Sequence, residues 1–171
     1  MTAIIEVAKP EDAVVLDRLV NGAYRGESSK LGWTTEADLL DGTRTDALAI
    51  SALLQDPETT ILKYVENGRI LGCVELKLKN DKLYLGMLTV QPDLQGRGIG
   101  KELLRRAEDE ARKRKCSSIF MTVISAREEL IAWYIRHGYH ATGEKRPFDF
   151  DDPRFGLPKV PLEFVVLEKK L

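Results

Sequence analysis

A glycine-rich segment lies at the centre of the chain, after an apolar run that ends at Val90. It reads Gln95-Gly96-Arg97-Gly98-Ile99-Gly100-Lys101 and leads into an amphipathic stretch. Alternating glycines permit left-handed backbone conformations and let a ligand approach the main chain closely. Where a helix begins at such a segment, its free N–H groups and its dipole attract an anion. The segment therefore predicts a phosphate-binding loop.

Two common phosphate-binding patterns do not match this loop. A Walker A loop requires Ser or Thr after Gly-Lys, whereas Glu102 follows Gly100-Lys101. It also requires a glycine at the position that Gln95 occupies. The dinucleotide-binding fingerprint requires its third glycine where Lys101 stands. These mismatches exclude both kinds of nucleotide site.

The hexapeptide from Gln95 to Gly100 resembles the coenzyme A signature of the GNAT superfamily, Gln/Arg-x-x-Gly-x-Gly/Ala. Its context adds to the resemblance, because the run ending Leu88-Thr89-Val90 precedes it and a predicted helix with Trp133-Tyr134 follows. The resemblance covers Thr59 to Tyr139, about half of the chain. A glycine-rich turn without a ligand is the alternative interpretation.

The resemblance implies an N-acetyltransferase that moves an acetyl group from acetyl-CoA to an amine by direct attack. It also implies that the strand before the loop splays from a parallel neighbour, Ser118–Ile124, so that the two are only partly paired. Main-chain groups of the splayed strand would hold the pantetheine and the thioester carbonyl, and the loop would hold the pyrophosphate. The implied coenzyme-binding residues are Leu88, Thr89, Val90, Gln95, Gly96, Arg97, Gly98, Ile99, Gly100 and Lys101.

Tyr134 is the candidate general acid, because the family commonly places a tyrosine near the coenzyme sulfur at this position. A phenol with an ordinary pKa of ~10 is protonated at neutral pH and can donate to a leaving thiolate. A core aromatic is the alternative, since Leu130, Ile131 and Tyr134 share one helical face. The family often has an asparagine at the start of this helix, where Ser125-Ala126 stand in this chain.

The general base is less clearly indicated. Many relatives carry a glutamate on the strand before the loop, whereas Lys82–Leu88 contains no acid. Glu75 lies in an apolar setting on the preceding run and is the candidate base, directly or through water. An outward-facing strand residue beside Lys77 is the alternative. Tyr84 is a further candidate in the same region.

The segment from Tyr24 to Glu36 is where relatives build the site for the acceptor. Arg25 and Glu36 supply both signs of charge, and Trp33 supplies an apolar wall. An exposed loop with one tryptophan held by the core is the alternative. The proline-rich segment around Phe148 and Phe155 is expected to cover that site as a lid or to pack over the sheet.

Hydrophobic periodicity indicates the elements that position these residues. The Asn67-Gly68 dipeptide between two apolar runs predicts a hairpin, and Asn80-Asp81 predicts a second turn. Ser125-Ala126-Arg127-Glu128 has the pattern of a capping box. The predicted fold is a single α+β domain over residues 1–171, with a mixed, mostly antiparallel sheet of six to seven strands flanked by helices. The predicted strands are Ala3–Val7, Thr59–Glu66, Arg69–Leu78, Lys82–Val90, Ser118–Ile124, Tyr139–Gly143 and Leu162–Lys169, and the predicted helices are 10–24, 35–40, 46–55, 98–115 and one that begins near the capping box.

Composition limits the partners. The formal net charge of -1 gives no global attraction to nucleic acid or to anionic membranes. Cys73 and Cys116 form no disulfide framework, which favours a cytoplasmic protein by default. His137 and His140 lack the spacing of a metal site, so no metal is expected.

Two functions remain open at this level. The first is an acetyl-CoA-dependent N-acetyltransferase whose acceptor is a small amine or an amino-acid-like molecule. The second is a non-catalytic acyl-CoA sensor, which the missing glutamate before the loop favours and Tyr134 opposes. The resemblance also allows a homodimer, because relatives often form dimers.

Overall fold

The computed structural model describes residues 3–25, 27–148 and 157–171. Over these residues there are four α-helices, α1 (Ala13–Tyr24), α2 (Ala47–Gln55), α3 (Ile99–Lys113) and α4 (Glu128–Arg136). The strands are β1 (Ile4–Val7), β2 (Leu40–Asp41), β3 (Thr59–Glu66), β4 (Arg69–Lys79), β5 (Lys82–Val90), β6 (Ser118–Ile124), β7 (His140–Pro147), β8 (Leu157–Pro158) and β9 (Glu163–Lys170). No helix within these ranges is long and apolar enough to cross a membrane.

Seven strands form one mixed sheet in the order β1-β3-β4-β5-β6-β9-β7. Its neighbours are antiparallel except for β5 and β6, which are parallel. The predicted α+β class, the strand number and the mostly antiparallel pairing are confirmed. A separate two-stranded ribbon joins β2 to β8 and was not predicted.

The first three long strands form the predicted meander because their turns are encoded locally. Asn67 and Gly68 have φ values of 54° and 74°, so both central residues of the first turn are left-handed, as a type I′ hairpin turn requires. Asn80 begins the second turn with φ 57°. Asparagine and glycine tolerate this conformation better than other residues do.

Two apolar layers cover the sheet. Neighbouring strand residues face opposite sides, so Ile61 packs in the cluster that holds α1 and Leu62 packs in the cluster that holds α3. Helix α1 buries Leu16 and Val20 completely against its side of the sheet. Helix α3 does the same on the other side through the apolar face that begins at Ile99. Strand β5 is thereby packed against α1 on one face of the sheet and against α3 on the other.

The parallel pair β5 and β6 splays apart, as predicted. Residues Lys82–Tyr84 of β5 pair with Ser118–Phe120 of β6, and beyond that point the two strands no longer pair with each other. Strand β5 also bulges against β4, where the register shifts and Met87 has φ 49°. A bulge bends its strand locally and increases its twist. The two strands therefore open a cleft next to the glycine loop.

Two predicted helix starts are wrong. Thr35 does not begin a helix: its Oγ1 accepts a hydrogen bond of 3.1 Å from the N–H of Ala37 within a turn that leads into β2. The Ser125 capping box does not form either, because the N–H of Ser125 donates to the carbonyl of Glu163 and continues the sheet. Helix α4 begins at Glu128, and its N-cap Arg127 makes no side-chain cap. Long-range pairing overrides both local patterns.

Candidate active site

A first cavity of about 370 Å³ opens at the N-terminus of α3, beside the splayed part of β5. Its walls come from β5, the glycine loop, α4 and the segment before β2. The residues that line it are Trp33, Thr34, Leu88, Val90, Gln95, Gly96, Gly98, Ile99, Gly100, Lys101, Glu129, Leu130, Trp133, Tyr134, Arg136 and His137. Eight of the ten residues predicted to bind the coenzyme are among them.

The glycine loop at the base of this cavity depends on two left-handed residues. Gly96 has φ +88° and Gly98 has φ +87°, a conformation that side chains with a Cβ rarely adopt. A Cβ built on either glycine meets no atom within 4 Å, so the space beside both residues is open. Gly98 is the N-cap of α3, whose first N–H groups therefore face the cavity mouth. This arrangement fits the pyrophosphate of a coenzyme.

Charge and aromatic surface add to that fit. Lys101 and Arg136 bring two cations to the first cavity, against one anion from Glu129. The opposite wall is aromatic: the rings of Trp33 and Trp133 lie 6.4 Å apart, centroid to centroid. A positive rim with an apolar wall suits a ligand that combines phosphates with an uncharged arm.

Two of the predicted coenzyme residues form side-chain contacts within the protein, and a third lies outside the cavity. Gln95 uses its side chain inside the protein, where it accepts from the N–H of Trp33 (2.8 Å) and donates to Thr34 Oγ1 (2.7 Å). It thereby ties the segment before β2 to the loop. Thr89 is buried and donates to the Met87 carbonyl (2.9 Å), and Arg97 is exposed. Neither Thr89 nor Arg97 lines the cavity.

A second cavity, of about 320 Å³, adjoins the first, and Leu88, Leu130 and Tyr134 line both. Its walls are the splayed parts of β5 and β6, the end of α1 and the segment between β2 and α2. The full lining is Tyr24, Arg25, Glu36, Leu40, Arg44, Glu75, Tyr84, Leu85, Gly86, Met87, Leu88, Met121, Thr122, Val123, Ile124, Arg127, Leu130, Tyr134, Phe148 and Phe164. The predicted candidates Arg25, Glu36, Glu75, Tyr84 and Tyr134 thus meet in one place. Trp33 lines only the first cavity, and Phe155 lies outside the described residues.

Tyr134 stands where the two cavities meet. Its side chain is 4% exposed and packs edge-on against Trp133 at 5.1 Å between ring centroids. Burial raises the pKa of its phenol well above the usual range, with a smaller contribution from Tyr24. The hydroxyl therefore stays protonated at physiological pH. Within the described residues it has no hydrogen-bond partner, which leaves it available to a ligand.

Glu75 and Tyr84 converge over Gly86 on the floor of the second cavity. A Cβ placed on Gly86 would lie 2.9 Å from the Tyr84 hydroxyl and 3.2 Å from Glu75 Oε1. Only glycine leaves room for both polar groups. Burial raises the pKa of the Glu75 carboxyl, and the positive charge of Arg44 opposes that rise. A carboxyl whose pKa is raised toward neutrality is suited to exchange a proton with an amine.

Glu36 is the centre of a buried charge network in the second cavity. Its Oε1 accepts from Arg25 Nη2 (3.0 Å), and its Oε2 accepts from Arg127 Nη1 (3.0 Å). Arg25 also donates to the Thr43 carbonyl (3.1 Å), and Arg127 donates to the Thr34 carbonyl. One carboxylate therefore joins α1, the segment before β2 and the start of α4.

Replacing Glu36 by Gln is expected to lower the free energy of unfolding by about 2 kcal/mol, because it leaves two buried guanidinium groups without their carboxylate. Urea unfolding followed by circular dichroism measures the change. The control is Glu144→Gln, since Glu144 and its partner Arg146 are both about half exposed, at 54% and 47% of their side chains. That change should cost less than about 1 kcal/mol. Equal effects of the two changes would contradict the structural role of the network.

Three polar residues of the second cavity, Tyr24, Arg44 and Arg127, were not predicted as individual site residues, although Tyr24 begins the segment assigned to the acceptor. Arg127 was assigned to a cap, although its partner Glu36 lies 91 residues away. Tyr24 donates through its hydroxyl to the Leu88 carbonyl, 64 residues away, and the N–H of Arg44 donates to Asn21 of α1, 23 residues away. No local spacing could have revealed these contacts, because each joins separate elements.

Comparison with known proteins agrees with this geometry. The model of the acetyltransferase (GNAT) family matches residues 20–139. The IAA acetyltransferase of Azospirillum brasilense is 28% identical over 148 residues, which cover 82% of this chain and 86% of that protein.

Solved structures share the fold at lower identity. The ribosomal-protein-alanine N-acetyltransferase of Brucella melitensis has a TM-score of 0.73 and 19% identity, over 98% of this chain and 99% of that one. The PaiA N-acetyltransferase of Thermoplasma acidophilum, solved with coenzyme A, has a TM-score of 0.69 and 18% identity over the whole of both chains. With the family match over residues 20–139 and the cavity beside the glycine loop of α3, these likenesses identify the chain as a member of the GNAT family and an acetyl-CoA-dependent N-acetyltransferase.

Proposed function

We propose that this enzyme acetylates the primary amine of a small molecule by direct attack on the thioester, with Tyr134 as general acid and Glu75 as general base. The observation that carries the proposal is the position of Tyr134 at the junction of two cavities. One cavity has the loop and the cations for a coenzyme, and the other holds a carboxylate of raised pKa. An acyl donor and an amine would therefore meet at the phenol.

Acetyl-CoA supplies the activated acetyl group. The glycine loop and the N-terminus of α3 would hold its pyrophosphate, with Lys101 and Arg136 near its charges. The splayed part of β5, at Leu88 and Val90, would hold the pantetheine arm, since both residues line the first cavity. Trp133 would exclude water along that arm.

Glu75 would take the proton that the amine loses. The nitrogen forms a bond to the acetyl carbon as the carbon–sulfur bond breaks, and one amine proton passes to the Glu75 carboxylate. Tyr84 lies beside the same carboxylate over Gly86 and would orient the amine. Any ordered water between Glu75 and the amine would serve as a relay.

Tyr134 would give its phenolic proton to the departing sulfur. The raised pKa ensures that the proton is present when the bond breaks. The phenolate recovers a proton and the Glu75 carboxyl loses one to solvent before the next turnover. The net reaction is an amide plus a free thiol.

The acceptor is proposed to be small because the second cavity is small. Its volume of about 320 Å³ is at the lower end of the range for small-molecule sites, which is roughly 300 to 1,000 Å³. The aromatic side chains of Phe148 and Phe164 contribute to its wall. A folded protein surface would not enter such a space, although a single terminal residue would.

The test is release of free thiol from acetyl-CoA in the presence of a panel of primary amines. Turnover that depends on the amine supports the proposal. Tight binding of acetyl-CoA with no amine-dependent release from any member of the panel would instead favour a sensor. Mass spectrometry of the acetylated amine identifies the product.

Replacing Glu75 by Gln is expected to lower kcat and to remove one limb of its pH profile. The base must be unprotonated, so activity falls as pH drops through the pKa of Glu75. Burial raises that pKa, so the fall occurs at higher pH than an ordinary carboxyl would give. The acceptor amine titrates in the same way with the wild type and with Glu75→Gln. The difference between the pH profiles of the two enzymes therefore reports the titration of the Glu75 carboxyl. The exposed Glu58→Gln serves as the control, and an unchanged profile in the Glu75 variant would exclude Glu75 as the base.

A further inference from the structure

Arg44 is the cation of the second cavity that has no carboxylate partner among the residues the structure describes. Arg25 and Arg127 both line that cavity, but both are bound to Glu36. The Arg44 guanidinium, by contrast, forms neither an ion pair nor a hydrogen bond with any residue in the described ranges, and its side chain is only partly buried. Five guanidinium N–H donors are therefore available to a ligand.

The side chain of Asn21 holds the main chain of Arg44 and Thr45 in place. Its N–H donates to Asn21 Oδ1 (2.6 Å), and the N–H of Thr45 donates to the same oxygen (3.1 Å). The Asn21 amide returns a hydrogen bond to the Thr45 carbonyl (2.9 Å). The Arg44 Cζ lies 6.0 Å from the centroid of the Tyr24 ring. An arginine fixed at its backbone and resting beside an aromatic ring loses less freedom when it binds.

The charge of the second cavity is unbalanced around this residue. Glu36 compensates one of its two partners, Arg25 and Arg127, which leaves one positive charge in the network. Arg44 adds another, and Glu75 supplies the one further negative charge among the residues that line the cavity. The positive charge of Arg44 acts to lower the pKa of both Glu75 and Tyr84. Among the described residues, however, Arg44 and Glu75 form no ion pair.

We propose that the acceptor carries an anionic group, a carboxylate or a phosphonate, that Arg44 binds while the acceptor amine lies toward Glu75. The inference rests on the proposed function, because it assigns the second cavity to the acceptor. A guanidinium binds either anion through two parallel hydrogen bonds. A compact amino acid or aminoalkylphosphonate then matches the cavity at both ends, with its anion on Arg44 and its amine on Glu75.

The experiment compares matched acceptors in the wild type and in Arg44→Gln. The probes are L-amino acids, each paired with its amide, and 2-aminoethylphosphonate, paired with ethanolamine. The wild type should show a higher kcat/KM for the anionic member of at least one pair by about tenfold or more. In Arg44→Gln that preference should disappear, because kcat/KM should fall at least tenfold more for the anionic probe than for its neutral partner, whose change reports only the effect of Arg44 on Glu75. The two kinds of pair distinguish a carboxylate from a phosphonate.

Two further variants separate binding from structural damage. Arg18→Gln removes an exposed arginine of α1 and should leave the preference intact. Arg44→Lys keeps the charge but loses the two-pronged geometry, so it should retain only part of the preference. Thermal unfolding checks that every variant is folded.

The outcomes separate this inference from the proposed function. Turnover of neutral amines as fast as their anionic partners, or an equal loss for both in Arg44→Gln, overturns the anion site and leaves the acetyltransferase reaction standing. If no probe is turned over, calorimetry with the coenzyme-saturated protein decides. If the wild type binds the anionic probe and Arg44→Gln does not, the result supports the anion site and counts against the proposed reaction. If both members of each pair bind equally, the anion site is overturned.

Discussion

Replacing Tyr134 by Phe is expected to lower kcat by about a hundredfold or more, while the affinity for acetyl-CoA stays unchanged. The change removes one hydroxyl and keeps the ring that packs against Trp133. Because the hydroxyl has no partner among the described residues, its loss leaves no buried group unsatisfied. Amine-dependent thiol release measures kcat, and calorimetry measures coenzyme binding.

Tyr139→Phe is the matched control for this change. Tyr139 is as deeply buried as Tyr134, and the two rings lie 5.8 Å apart. Its hydroxyl, however, donates to Glu108 (3.1 Å) and lies outside both cavities. Tyr139→Phe should lower stability and leave kcat unchanged. Equal kcat in wild type and Tyr134→Phe would exclude the phenol as the acid.

Replacing Gly98 by Val is expected to weaken binding of acetyl-CoA by about a hundredfold or more. At φ +87° a β-branched residue is strongly strained, so the loop must change conformation to accept it. That change turns the first N–H groups of α3 away from the phosphates, and each hydrogen bond lost to a charged group is worth roughly 1.5 to 3 kcal/mol. Calorimetric titration with acetyl-CoA measures the loss.

Gly68→Val separates this effect from backbone strain alone. Gly68 is also left-handed, with φ +74°, and a Cβ there likewise meets nothing within 4 Å. It lies in the β3–β4 turn, away from both cavities. Both variants should lose stability, but only Gly98→Val should lose the coenzyme. Unchanged affinity in Gly98→Val would mean that the loop does not hold the pyrophosphate.

The fold could be predicted to a large extent because its strongest patterns are local. Asn67-Gly68 specifies a turn by the conformation of two residues, and the strands on either side follow from alternation. The apolar face of α3 likewise repeats at helical spacing within one segment. These features need no information about distant residues.

The errors fall where a distant partner decides. Serine is a common N-cap residue, but the N–H of Ser125 donates to the carbonyl of Glu163 and extends the sheet, so no helix begins there. Arg127 lies next to it and is drawn toward Glu36 and the Thr34 carbonyl. A Ser or Thr N-cap stabilises a helix by only about 1 kcal/mol, and tertiary contacts can contribute more than that.

The sequence by itself determined the glycine loop, since left-handed Gly96 and Gly98 followed by a helix are a property of consecutive residues. It also determined the membership of the chain in its family and the position of Tyr134 on the helix that follows. The tertiary structure alone decided the second cavity. Arg25, Glu36, Arg44, Glu75 and Arg127 come from five separate segments, which pack around the opening between β5 and β6. A site that binds a common coenzyme can be encoded along one stretch of chain, whereas a site built between elements exists only once the sheet and helices have packed.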